Sequence, residues 1–179
     1  MKIIILGAGQ VGASVAENLA SEANDITLVD ASAEYLEVLR NRLEVRTVCG
    51  NAASPSVLRE AGADDADLLI AVTQTDQTNL CACRVAKTLF NLPTRIARLR
   101  SSEFVDHPEL LDDSNFAVDF SICPEQIVTD SIQRLIAFPE ALQVLEFADG
   151  VLSLICVRAF ARQDRSASSL SVHVTLLLA

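Results

Sequence analysis

Along the first two thirds of the chain, short runs of consecutive apolar residues alternate with stretches whose apolar residues recur every three or four positions. That alternation predicts a repeated β-α order. The first run, Ile3-Ile4-Ile5-Leu6, is too short to cross a membrane and suits a parallel strand buried on both faces. A helical pattern follows from Gln10, carried by Val11, Val15, Ala16 and Leu19. Ile26 to Val29 then read as a second strand ending in Asp30, and a helix from Ser32 carries Leu36, Leu39 and Leu43 on its buried side. Val45 to Val48 predict a third strand, and Pro55 to Gly62 a helix with Ser54 as N-cap and Gly62 just past its end.

The pattern continues with a fourth strand from Ala66 to Val72, a helix running to about Phe90 and a fifth strand from Thr94 to Arg100. A short helix from Ser102 to Leu111, holding His107, and a sixth strand from Phe116 to Phe120 complete the series. Cys123-Pro124-Glu125 opens a longer helix whose Ile127, Val128, Ile132, Leu135 and Ile136 form an apolar face beyond the needs of a finished sheet. That face is expected to receive a second copy of the chain. Leu142 to Phe147 and Val151 to Phe160 flank Asp149-Gly150, a hairpin signal. The residues 161–179 complete no element.

The fold class expected is therefore α/β, a doubly wound, Rossmann-type parallel sheet of six strands, with a C-terminal crossover helix and a β-hairpin arm. The expected boundaries are 1–122 for the nucleotide-binding domain and 123–140 for the crossover and dimerisation helix. Residues 141–160 would begin a C-terminal subdomain, and 161–179 stay unassigned.

Candidate chemistry sharpens this at the turn Gly7-Ala8-Gly9-Gln10-Val11-Gly12. Gly-x-Gly-x-x-Gly between a strand and a helix seats a pyrophosphate at a helix N-terminus, where unpaired N–H groups and the dipole favour an anion. An acid at the tip of the second strand, here Asp30, accepts hydrogen bonds from ribose hydroxyls and disfavours a 2′-phosphate; its other reading is a cap for the helix near Ser32. Gly50-Asn51-Ala52 lies where the third strand delivers its carboxyl end, and Asn51 reads there either as an adenine contact or as a plain turn residue. In the loop Thr73-Gln74-Thr75-Asp76-Gln77-Thr78-Asn79, hydroxyl and amide groups face the same crevice, while Thr75 or Asp76 equally suits a helix cap. Arg98 and Arg100 share a face of the fifth strand in a chain with only two lysines, Lys2 and Lys87. They suit a phosphate clamp, or alternatively ion pairs with the abundant acids.

Composition narrows the partners. With 24 acidic against 14 basic residues and a net charge of −10, the chain is not expected to bind nucleic acid or an anionic membrane surface. It carries no signal-peptide pattern and no run of eighteen apolar residues, so a cytoplasmic protein that does not span the membrane is expected. The five scattered cysteines suit reduced thiols, and Cys81-x-Cys83 is not a zinc spacing.

Taken together, Ile5 to Gly12, Leu58-Arg59-Glu60-Ala61-Gly62-Ala63, Ala71 to Asn79, Arg95 to Arg100 and Pro124-Glu125-Gln126 resemble the N-terminal KTN or RCK nucleotide-binding domain of the TrkA-type potassium-uptake proteins. The resemblance runs from Met1 to about Phe160. It implies a non-catalytic, cytoplasmic regulatory subunit, peripheral at the inner face of the cell membrane, which binds NAD or NADH, with ATP or ADP at the same site. It also implies gating of a membrane potassium translocator and assembly as a homodimer or higher ring. The cofactor-binding residues it implies are Gly7, Ala8, Gly9, Gln10, Val11, Gly12, Asp30, Asn51, Ala52, Thr73, Asp76, Asn79, Arg98 and Arg100. Because complete family members are similar to tandems of two such halves, the tail from Ala161 is expected to reflect a truncated form. The competing expectation is an NAD-dependent oxidoreductase. It would need a general acid or base, and beyond Arg100 the chain offers only His107 and His173 and no lysine.

Overall fold

Ile3, Ile4, Ile5 and Leu6 are each no more than 3% exposed, because the strand they form lies between two others and under helices on both faces. In the computed structural model, which describes residues 1–20, 24–137, 139, 141–147, 152–159 and 171–178, β1 (Lys2–Leu6) pairs in parallel with β2 (Asp25–Asp30) and β4 (Leu68–Ala71). With β3 (Arg46–Cys49), β5 (Thr94–Arg98) and β6 (Phe120–Ile122) they make a six-stranded sheet in the order β3-β2-β1-β4-β5-β6. Every pairing in it is parallel. This is the doubly wound Rossmann-type order, whose strand reversal lies between β1 and β4.

Period-two alternation sends Ile3 and Ile5 to one face of β1 and Ile4 and Leu6 to the other. The first pair packs with Ala16 of α1 (Gln10–Ala20) and with Leu36 and Leu39 of α2 (Ala33–Arg42). The second pair belongs to the core that holds Leu58 of α3 (Pro55–Glu60) and Leu80, Cys83 and Ala86 of α4 (Asp76–Phe90). At the end of α4, Asn91 takes the left-handed conformation at φ 49° and buries Leu92 behind it. Gly62 at φ +92° closes α3 in the same sense.

The expected elements differ from the structure at several points, four of which have a local cause. The sixth strand is Phe120–Ile122 rather than Phe116 to Phe120. Ala117 sits at φ 56° and gives its carbonyl to the Arg95 side chain, so the backbone is still turning there. The helix expected from Ser102 to Leu111 is split into α5 (Ser102–Val105) and a single 3-10 turn, Pro108–Leu110. His107 precedes proline, which drives it out of helical geometry, to φ −122° and ψ 67°. The fifth strand ends at Arg98, two residues early, because the amide of Arg100 turns to the Asp76 carboxylate. Finally, Ser54 precedes α3, but its hydroxyl pairs with Ser56 Oγ at 3.0 Å instead of capping the helix.

The chain separates into two units, Met1–Pro124 and Glu125–Ala179. In the second, α6 (Pro124–Ala137) leaves Ile127, Val128, Ile132, Leu135 and Ile136 exposed. Its sheet is antiparallel, in the order β7 (Ala141–Phe147), β8 (Leu152–Ala159), β9 (Ser171–Leu178). The Asp149-Gly150 turn lies outside the described residues, whereas β9 falls in the stretch where the sequence pattern completed no element.

Candidate functional site

The turn from β1 to α1 is fixed by glycines at two positions and opened by one at a third. Gly7 adopts φ +105°, and a Cβ there would lie 2.9 Å from the Val72 carbonyl oxygen. A Cβ on Gly12 would lie 1.8 Å from the Gly7 oxygen, so α1 reaches the turn at a distance only glycine permits. At Gly9 a Cβ would meet nothing within 4 Å. Gly9 caps α1, its carbonyl accepting from Ala13 N at 2.9 Å, and the free N–H groups of the first turn face the open space above it.

Asp30 lies beside this turn and works on the backbone. One carboxylate oxygen accepts from Ala8 N at 2.7 Å and the other from Ser32 N at 2.8 Å. It thereby ties the glycine turn to the start of α2. The helix cap itself is Ser32, whose hydroxyl accepts from Tyr35 N. Two amide donors do not exhaust a carboxylate's four acceptor positions, so Asp30 keeps capacity for ribose hydroxyls. At the end of β3, Asn51 Oδ1 accepts from Ala53 N at 2.9 Å, and a Cβ on Gly50 would strike Val57.

On the other side of β1, Asn79 is fully buried and holds two strand ends together. Its Oδ1 accepts from Thr73 N at 2.9 Å and from Thr73 Oγ1 at 2.7 Å, while its Nδ2 donates to the Arg98 carbonyl at 2.8 Å. Asp76, 9% exposed, accepts from Arg100 N at 3.0 Å and from Ser101 N at 2.9 Å. These two side chains build the frame that carries Thr73, Arg98 and Arg100.

The result is a cavity of about 800 Å³ at the carboxyl edge of the sheet, within the roughly 300–1,000 Å³ range of small-molecule sites. Of the residues expected from the sequence, Gly7, Gly9, Gln10, Val11, Asp30, Asn51, Ala52, Thr73, Arg98 and Arg100 line it. Ala8, Gly12, Asp76 and Asn79 do not: Ala8 reaches the site through its amide, Gly12 through close packing, and Asp76 and Asn79 are spent on backbone groups. Gln74, Thr75 and Thr78, of the loop expected to face the crevice, also line the cavity, and so do Tyr35 and Ser32, to which the sequence reading assigned no ligand role. The signal for Ser32 and Tyr35 was position, since they cap and open a helix that begins at the carboxyl edge of the sheet.

Arg95 belongs to a different structure. It is 2% exposed and donates to the carbonyls of Leu92 and Ala117, with Asp119 at 2.9 Å and Asp113 at 3.3 Å. Cys83 lies within reach of this charge, yet burial dominates and pushes its thiol up to about 12.

Residues 3–115 match the TrkA-N domain family. The chain belongs to that family. It is 54% identical over 160 residues to the Trk system potassium uptake protein TrkA of Halomonas elongata and 55% identical over 161 residues to that of Vibrio alginolyticus, each match covering 89% of the chain. The chain spans about a third, 35%, of the length of these curated relatives. Among solved structures, the TrkA-N domain of inner membrane protein ybaL from Escherichia coli superposes with a TM-score of 0.66 at 21% identity, covering 75% of this chain and 96% of that one. The GsuK channel bound to NAD gives 0.67 at 15% identity over 89% of this chain and 28% of that one. GsuK bound to ADP gives 0.63 at 16% identity over 78% and 35%. At these identities the structural likeness speaks to the fold. The six-stranded sheet is thus the part of this TrkA-N domain on which the likeness bears.

Proposed function

We propose that this TrkA-N domain is a regulatory nucleotide-binding module that takes NAD, NADH or an adenine nucleotide, ADP or ATP, in the crevice above β1. The observation that carries the reading is the combination at one cavity: the open cradle over Gly9 at the N-terminus of α1, the Asp30 carboxylate to one side, and Arg98 with Arg100 to the other. The first seats phosphate, the second ribose, and the guanidinium groups further phosphate oxygens. All fourteen candidate residues serve this site, ten by lining it and four by holding its frame. The NAD-bound and ADP-bound GsuK structures support the ligand class.

The partner in this proposal is a membrane potassium translocator, supported by the names of the TrkA relatives. The module acts from the cytoplasmic face as a homodimer or higher ring, and the exposed apolar face of α6 is where a second copy docks. Among the described residues no helix is long and apolar enough to cross a membrane. Regulation requires that nucleotide bind two arrangements of the assembly with different affinity, because a ligand shifts an equilibrium only by that difference. The module does not turn its ligand over, a reading supported by the same relatives' names; His107 is exposed and paired with Glu109 at 2.9 Å, away from the crevice lining.

Calorimetric titration of the chain with NAD, NADH, ADP and ATP tests this. Micromolar binding of at least one is expected, with Asp30→Ala weakening all of them and Arg98→Ala weakening ATP more than NAD. Absence of binding below millimolar concentration overturns the sensor, and oxidation of NADH with simple carbonyl compounds overturns the non-catalytic reading in favour of an oxidoreductase.

A further inference from the structure

The strand order places the phosphate seat over β1, Asp30 at the end of β2 and Gly50-Asn51-Ala52 at the end of β3. A nucleotide whose phosphate lies on Gly9 and whose ribose meets Asp30 therefore carries its base to the β3 end. Two side chains line the cavity there and can meet a base, Tyr35 and Asn51. Tyr35, about half exposed, offers a ring on which a base can stack. Stacking is tolerant of base identity because every base has a π-face.

Selection then falls to Asn51, and its amide is already oriented. Oδ1 accepts from Ala53 N at 2.9 Å, which fixes the amide flip, since the opposite flip would set an NH₂ group against an N–H. Nδ2 is left as the group a ligand meets, and Nδ2 is a donor. Adenine's Hoogsteen edge offers one acceptor, N7, beside a donating amino group at C6; a 6-oxopurine offers acceptors at both N7 and O6. A site that selected adenine through its amino group would present an acceptor at this point.

We propose that Tyr35 and Asn51 form the base end of the crevice, that a purine turns its Hoogsteen edge to Asn51, and that Asn51, by presenting a donor to N7, admits a 6-oxopurine nucleotide as readily as an adenine nucleotide. This rests on the nucleotide-binding reading of the crevice and specifies which bases that crevice accepts. The geometry also gives a conversion. In Asn51→Asp one carboxylate oxygen still takes the Ala53 amide while the other faces the ligand as an acceptor, favouring the adenine amino group and repelling O6.

The test is calorimetric titration of the 179-residue chain with ADP and with IDP, which differ at C6 and in the N1 proton. The two dissociation constants should agree within about threefold, and Tyr35→Ala should weaken both equally. Asn51→Asp, with its fold checked by circular dichroism, should raise the ADP-over-IDP preference at least tenfold. A wild-type preference for ADP of tenfold or more, or an unchanged ratio in Asn51→Asp, overturns this inference and leaves the nucleotide-binding reading standing. Failure of both ADP and IDP to bind, with NAD and ATP also inert, overturns the two together.

Discussion

Alanine at Gly9 and alanine at Gly12 should separate what the glycine turn does for the ligand from what it does for the fold. At Gly12 the added methyl carbon would sit 1.8 Å from the Gly7 carbonyl oxygen, where ordinary contact needs more than 3 Å. The neighbour is backbone, held in turn by Gly7 N donating to the Val29 carbonyl at 2.7 Å, so α1 must move by more than 1 Å. Overpacking of this kind costs about 1–3 kcal/mol and sometimes more, against a helix-propensity gain of about 1 kcal/mol for Gly→Ala inside a helix. The clash is at the severe end, so a net loss of about 2 kcal/mol is expected, or roughly 4–8 °C in Tm for a chain of this size. At Gly9 the same methyl meets nothing within 4 Å. There the loss of a good cap residue and the reduced entropy of the unfolded chain nearly cancel, leaving stability within about 1 kcal/mol of the wild type. The Gly9 methyl nevertheless fills the phosphate cradle, so Gly9→Ala should bind nucleotide at least tenfold more weakly while melting normally. Thermal melts followed by circular dichroism, with calorimetric titration of ADP, read both effects. A Gly12→Ala protein that melts at or above the wild-type temperature, or a Gly9→Ala protein with undiminished affinity, would refute the reasoning.

Asp76→Ala removes the acceptor of the Arg100 and Ser101 amides and should cost about 3–6 kcal/mol in urea denaturation, since bonds to a charged group are worth about 1.5–3 kcal/mol each. A loss under 0.5 kcal/mol would show that water replaces the carboxylate. Arg95→Ala leaves Asp119 without its buried partner, and a destabilisation of about 3–5 kcal/mol is expected by the same assay; near-neutrality would mean that the carbonyls of Leu92 and Ala117 are served otherwise. With its thiol held at about 12 by burial, Cys83 should resist iodoacetamide at pH 8 until denaturant is added, while exposed Cys49 and Cys81 react. The same shift makes the neutral Cys83 thiol a stabilising feature below pH 9 that is lost as pH climbs from about 9 toward 12. Alkylation followed by mass spectrometry checks the labelling, and equal rates at Cys81 and Cys83 would contradict the buried assignment.

What the sequence alone determined was whatever depends on neighbours along the chain. The run Ile3 to Leu6, the glycine spacing after it and Asp30 at the next strand tip follow from strand period and turn sterics, which act over a few residues. The order of elements through α4 and the face carrying Arg98 followed in the same way. The tertiary structure decided the roles of side chains whose partners are distant in sequence. Asp76 and Asn79 read as ligand residues from their loop, but they meet backbone groups 24 and 19 residues away, at Arg100 and Arg98, and so became the frame of the site. Arg95 shares a strand with Arg98, yet it turns inward to Asp119 across the neighbouring strand pair, and no local pattern announces a buried guanidinium. Tyr35 carries no local signal of a role, and the β2–α2 connection is what sets it at the cavity. Asn51 shows the same: its residue type offers both a donor and an acceptor, and only the folded turn, by using the oxygen for Ala53 N, leaves Nδ2 as the remaining polar group of the amide.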